Sequence, residues 1–152
     1  MKQVLLLVGL FMSISLFSCD DDDDDKIVDS SELPVSARQF LTEHFAEVGI
    51  VSVQKDKDSY DVRLKNGFKV DFDLYGEWDE IDGFQQTVPS SIVELLPKAV
   101  SPYIMQNHTG FKVIKINREN YGYEITISNT NSDLRDLELK FDKEGIFIGI
   151  DD

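Results

Sequence analysis

Phe72-Asp73-Leu74-Tyr75-Gly76-Glu77-Trp78 and Phe141-Asp142-Lys143-Glu144-Gly145-Ile146-Phe147 are two versions of one pattern: an aromatic and an aspartate, a glycine, then a second aromatic. Each continues to the same ending, Ile81-Asp82 and Ile150-Asp151. A glycine between short runs of this kind supplies the positive φ of a tight turn, so each block reads as strand, turn, strand. The match continues upstream. Leu33-Pro34 recurs as Leu96-Pro97, Phe40-Leu41 as Tyr103-Ile104, and Val51-Ser52-Val53 as Ile114-Lys115-Ile116. Tyr60-Asp61-Val62 with Leu64 recurs as Tyr123-Glu124-Ile125 with Ile127. A single slip in spacing falls in the polar loop near Asn129 to Asp133. Apolar falls on apolar and polar on polar, which predicts a duplicated unit.

Each unit has the same expected elements. Pro34 stands before Ala37, Phe40, Leu41, Phe45 and Val48, whose spacing by three and four predicts a helix with one apolar face. The second helix is expected from Ala99 through Tyr103 and Ile104 to His108. An extra short helix, Ser90 to Leu96, is opened by Pro89 and broken at Pro97. Strands are expected at Ile50 to Lys55, Tyr60 to Leu64, Phe68 to Phe72 and Trp78 to Ile81. Their counterparts are Lys112 to Arg118, Tyr121 to Ser128, Leu137 to Phe141 and Gly145 to Ile150. Asn66-Gly67 signals a two-residue hairpin between the second and third strands. The fold class is therefore α+β: a tandem repeat of a helix plus a four-stranded antiparallel sheet, residues 33–86 and 87–152. One face of that sheet can stay wet.

These residues carry a resemblance. A helix, the Tyr60-Asp61-Val62-Arg63-Leu64 strand, Asn66-Gly67, and the Phe72 to Asp82 block resemble the PepSY-like repeat of Bacteroidetes secreted proteins. That family is compared structurally with the β-lactamase inhibitor protein, itself a tandem of helical units on antiparallel sheet. The likeness spans nearly all of residues 33–151, in two copies. It implies a β-lactamase-inhibitor-protein-like fold and a non-enzymatic periplasmic or surface protein that binds or inhibits another protein. It does not imply that β-lactamase is the target, because one fold hosts many functions.

The N-terminus has its own logic. Lys2 precedes an apolar run from Val4 to Phe17, shorter than the ~20 residues needed to span a bilayer. Leu16-Phe17-Ser18-Cys19 looks like a lipobox, so residues 1–18 are expected to be a lipoprotein signal peptide and Cys19 the lipidated residue. Cys19 is the sole cysteine, which excludes an intramolecular disulfide. Acyl chains on it would anchor a soluble domain to a membrane. Asp20 to Asp25 repel one another and cannot pack, so residues 19–32 are expected to form an acidic tether. The run also resembles the surface-export signals of Bacteroidetes lipoproteins, which implies the outer membrane or cell surface, a periplasm-facing leaflet remaining open.

The chain carries 29 acidic and 15 basic residues, a formal net charge of −14. Such a surface disfavours nucleic acid as a partner, and the expected membrane contact is the lipid anchor alone. Catalytic machinery has no sequence support. The two histidines, His44 and His108, fall near helix C-termini, where the helix dipole favours a cation, and no serine sits in a nucleophile turn. Asp71, Asp73, Gly76 and Asp82 imitate positions one, three, six and twelve of a calcium loop. Tyr75 at position five and the strand-turn-strand reading favour a plain hairpin instead. No metal or other cofactor is expected. The candidate partner-binding face is the polar side of the central strands, Asp61, Arg63, Lys69, Asp71, Glu124, Thr126, Glu138 and Lys140. Trp78 is either a core aromatic or an anchor on that face. The expected function is a lipid-anchored, non-catalytic module binding a protein or peptide. The alternatives are a calcium-dependent or carboxylate-based envelope enzyme, and a structural subunit of a surface lipoprotein complex.

Overall fold

The computed structural model describes residues 26–129 and 135–151. Cys19, its lipobox, Asp20 to Asp25 and most of the loop where the spacing slips lie outside the described residues. Nine strands form one antiparallel sheet in sequence order. They are β1 (Lys26–Val28), β2 (Ile50–Lys55), β3 (Ser59–Leu64), β4 (Lys69–Asp73), β5 (Trp78–Asp82), β6 (Lys112–Glu119), β7 (Gly122–Ser128), β8 (Leu137–Asp142) and β9 (Phe147–Asp151). Helix α1 (Val35–His44) precedes β2, while α2 (Ser90–Val93) and α3 (Val100–Asn107) lie between β5 and β6. None of these helices is long and apolar enough to cross a membrane.

One core lies between the helices and one face of the sheet. Ala37, Leu41 and Phe45 of the first helical segment and Ile92, Leu96, Val100 and Ile104 of the second are buried. They pack in one cluster with Val62, Val70, Phe72 and Ile81, and with Ile116, Ile125, Leu139 and Phe141. Strand alternation puts each of these sheet residues on the same side. The helical face is short, so the sheet supplies most of the apolar surface.

The two hairpin turns of the opening pattern are built alike. Asp73 Oδ1 accepts from the N–H groups of Tyr75 (2.8 Å) and Glu77 (2.9 Å). Asp142 Oδ1 accepts from those of Glu144 (3.1 Å) and Ile146 (2.7 Å). Gly76 and Gly145 sit at φ +84° and +83°, a conformation costly for any residue with a Cβ. The aspartates that imitate a calcium loop are thus employed otherwise. Asp73 holds a turn, while Asp71 and Asp82 stand on neighbouring strands.

Four local expectations are corrected. The tether does not extend to residue 32: Lys26 to Val28 pair with β2, and Ser30–Glu32 form a 3-10 turn capped by the Asp29 carboxylate. Ile27 and Val28 bring enough β propensity to add an edge strand once β2 offers a partner. At Asn66-Gly67 only Gly67 takes positive φ, with Gly67 N–H bonded to Leu64 O and Leu64 N–H to Phe68 O. The loop is therefore Lys65-Asn66-Gly67, a turn followed by a left-handed glycine. Helix α2 ends at Val93, with Glu94 as its cap, short of Leu96. Finally, Val51 is exposed while Ile114, its sequence match, is buried. The segment after β5 lies against Ile114, whose carbonyl accepts from Gly83 N–H.

Candidate binding face: two polar rows across the sheet

The face away from the helices carries two unbroken rows of directly opposed residues. The first runs Gln54, Asp61, Asp71, Glu80, Asn117, Glu124, Lys140, Gly149. The second runs Ser52, Arg63, Lys69, Asp82, Lys115, Thr126, Glu138, Asp151. Period-two alternation on antiparallel strands produces this array, because each opposed pair shares a face. Asp61, Arg63, Asp71, Glu124, Thr126 and Lys140, expected from sequence to share a surface, all fall in these rows, as do Lys69 and Glu138.

Trp78 does not. It is 4% exposed and belongs to the core cluster. Its ring lies 6.3 Å from that of Phe40 on α1, and the Arg118 guanidinium sits 4.0 Å above it. The cause is a bulge: Asp71 opposes Glu80 but Phe72 opposes Trp78, so Asp79 is the extra residue. The bulge turns Trp78 to the side of Phe72, under the helix. Sequence reasoning also missed Glu80, Asp82, Lys115, Asn117 and Asp151. The alternation of β5 beyond the bulge would have found the first two.

Acidic residues are neighbours in the first row, where Lys69 and Lys115 of the second row bridge them, and Lys140 of the first row reaches across to Asp151 of the second. Lys69 Nζ lies 2.6 Å from Asp71, 3.5 Å from Asp61 and 3.7 Å from Glu80. Lys115 Nζ lies 3.0 Å from Glu80 and 3.9 Å from Asp82. Lys140 Nζ lies 2.7 Å from Asp151 and 4.0 Å from Glu124. Burial works against the Lys69 ammonium, yet the carboxylates of Asp71, Asp61 and Glu80 raise its pKa. Burial pushes the Asp71 carboxyl up to about 6, Lys69 opposing and the Asp61 and Glu80 charges adding to it. Burial, then Glu124 and Asp151, raise Glu138 as well. Among the described residues, no hydrogen-bond partner reaches the buried Oδ1 atoms of Asp71 and Asn117. The face is thus a half-dehydrated charge lattice with unused acceptors.

Elsewhere, His44 ends α1 and its Nδ1 lies 2.9 Å from Ser91 Oγ, tying α1 to α2. His108 caps α3. Both stand at helix C-termini, as expected. His44 and Glu43 line a groove of about 290 Å³ on the helix side, away from the carboxylate rows.

A continuous antiparallel sheet, covered by helices on one side and polar on the other, defines a class of small α+β protein. Within it the chain belongs to the family described as "Putative beta-lactamase-inhibitor-like, PepSY-like", which matches residues 24–74 and 58–149. It is similar to a "putative calcium-regulated periplasmic protein" from Bacteroides thetaiotaomicron: 36% identity, TM-score 0.74, covering 86% of this chain and 98% of that one. It is also similar to a "putative periplasmic protein of unknown function" from Bacteroides vulgatus: 36% identity, TM-score 0.75, covering 84% and 99%. Among curated proteins none matches the chain.

Proposed function

We propose that the protein is a lipid-anchored, non-catalytic binding module of the cell envelope that grips a protein or peptide with the polar face of its sheet. In this reading Cys19 carries the lipid, and residues 33–86 and 87–152 are two copies of one unit, fused through β5 and β6 into a single platform. The observation that carries it is the lattice itself. A surface meant only for solvation has no need to hold Asp71 and Lys69 half-buried, or to leave acceptors buried and unpaired. A polar partner would complete those hydrogen bonds. Membership in an inhibitor-like family, and similarity to proteins described as periplasmic, support both the binding role and the envelope location.

The test is capture of partners from envelope extract of the source bacterium, with the full chain as bait. A specific partner should bind wild type and be reduced at least tenfold by Lys69→Ala with Lys115→Ala. It should be retained by Gln39→Ala on the exposed side of α1. No specific partner, or equal capture by all three baits, would sink the reading.

A second reading rests on a separate observation. One carboxylate oxygen each from Glu124, Glu138 and Asp151 lie within 4.8 Å of one another, and one relative is described as calcium-regulated. Hard oxygen donors suit calcium, but the Lys140 ammonium already stands among them. Calcium would have to displace it. A calcium-induced rise in melting temperature, larger in Lys140→Ala and absent in Glu138→Gln with Glu124→Gln, is the result this reading requires.

A further inference from the structure

β5 and β9 are matched strands in the register of their hairpins. Phe72 opposes Trp78 and Phe141 opposes Phe147, each beside a bulge, and Val70 opposes Ile81 as Leu139 opposes Ile150. Their outer edges differ. The outer edge of β5 is filled by β6, with Ile116 opposite Ile81 and Lys115 opposite Asp82. β9 is the last strand of the sheet.

An exposed edge with free backbone groups invites pairing, and proteins ordinarily blunt it with charge. Here the side chains go the other way. Where the first hairpin has Glu77 and Asp79, the second has Ile146 and Ile148, which are 61% and 55% exposed. Ile150 is 46% exposed, whereas Ile81 is 0%. Apolar residues have been placed where the edge is open, which marks a docking surface better than an accident of solvation. Gly149 leaves the edge uncrowded, since a Cβ there would meet nothing within 4 Å.

Charge completes the pattern. At β5 the incoming strand brings Lys115 to Glu80 and Asp82. At β9 the carboxylates of Glu124, Glu138 and Asp151 are gathered, Lys140 reaching Asp151 and Glu124, and among the described residues no further strand brings a lysine to them as β6 does at β5.

We propose that the outer edge of β9 docks an extended segment of another protein in which basic and apolar residues alternate. The segment adds as a tenth antiparallel strand. Its backbone bonds to Phe147 to Asp151, an apolar residue packs on Ile150, and a basic residue meets Asp151. This is β-strand addition, in which main-chain bonds give affinity and alternate side chains give selectivity. The chain's own β6 is the template. Of the charged residues of the polar face the site shares only Asp151, at the end of the second row, and it stands or falls separately.

The experiment uses a fluorescein-labelled peptide copying residues 112–119, titrated into the full chain and followed by anisotropy and amide hydrogen exchange. Saturable binding is expected, with exchange slowed at Phe147 to Asp151. Affinity should fall at least tenfold when both peptide lysines become glutamate. The same loss is expected in Ile148→Asp, which installs on an exposed side chain the residue β5 carries at Asp79. Lys69→Ala should leave binding within twofold, which separates this site from the polar face. Binding that is absent, indifferent to the lysines, or protecting elsewhere overturns the proposal. So does a concentration-dependent dimer whose β9 amides are protected without peptide, which would assign the edge to a second copy of the chain.

Discussion

The β4–β5 and β8–β9 hairpins have matching turns, an aspartate accepting two N–H groups and a glycine near φ +84°, and matching bulges. Their second aromatics nevertheless meet different neighbours. Trp78 is buried beneath Phe40 and Arg118. Phe147 is only partly buried and stacks on Tyr103, with ring centroids 4.5 Å apart. Ile81 is sealed by β6, and Ile150 is left open. Local sequence therefore fixes turn, bulge and register, while burial is decided by what lies next in the sheet. The same local pattern gives a core strand in the middle of the molecule and an open edge at its end.

Substitutions at matched positions test this difference, and the largest effects belong to the buried member. Trp78→Ala should cost about 3–5 kcal/mol and Phe147→Ala about half as much, since the latter removes a partly exposed ring. Urea midpoints measure both, and equal losses would break the comparison. Gly76→Ala should cost about 2–4 kcal/mol, combining left-handed strain with overpacking. A Cβ at Gly76 would strike Ser36 Oγ and lie 2.9 Å from the backbone N of Ala37, which cannot yield. At Gly145 the neighbours are side chains, Pro97 Cβ at 2.7 Å and Val100 Cγ2 at 3.2 Å, so Gly145→Ala should be the milder. Ile81→Ala should cost about 2–4 kcal/mol and Ile150→Ala less than about 1 kcal/mol. A large loss at Ile150 would mean that the edge is already covered in solution.

Much of this was legible in the chain. Alternation along Tyr60 to Leu64, Lys69 to Asp73 and Tyr123 to Ser128 puts Asp61, Arg63, Asp71, Glu124 and Thr126 on one side of the sheet, where the structure has them. Period two leaves only one side for Asp61 and Arg63 once Tyr60 and Val62 are core. Trp78 was ambiguous for a physical reason. A bulge inserts one residue and reverses the parity beyond it, and nothing in Trp78-Asp79-Glu80 announces which residue is extra. Strand β1 was hidden because three residues beside a polyaspartate run form a strand only when β2 is there to pair with them. The lattice around Lys69 was illegible for a different reason, since its partners come from β3, β4 and β5 and only the register brings them within reach.

A comparably small effect is the most selective, because it reports on the crowded half of the polar face alone. Asp71 stands between Asp61 and Glu80 in the first row, and burial raises its carboxyl from 3.8 to about 6. A carboxyl that holds its proton more tightly folded than unfolded stabilises the fold where it is protonated. That contribution is complete below pH 3.8 and is lost as pH rises through about 6. Above pH 7 wild type therefore carries an ionised Asp71 at a cost that Asp71→Asn escapes. The variant should gain about 1 kcal/mol over wild type between pH 4 and pH 8, a figure kept small because the half-exposed pair is screened. High salt should not abolish the gain, because burial is its first cause and salt screens the Lys69 attraction ahead of the weaker Asp61 and Glu80 repulsions. Lys69→Met should deepen the loss above pH 6, since Lys69 is the cation that makes the charged carboxylate tolerable. Urea titrations at pH 4, 6 and 8 in which wild type and Asp71→Asn run parallel would show that Asp71 is ordinarily solvated, and the polar face no drier than the rest of the surface.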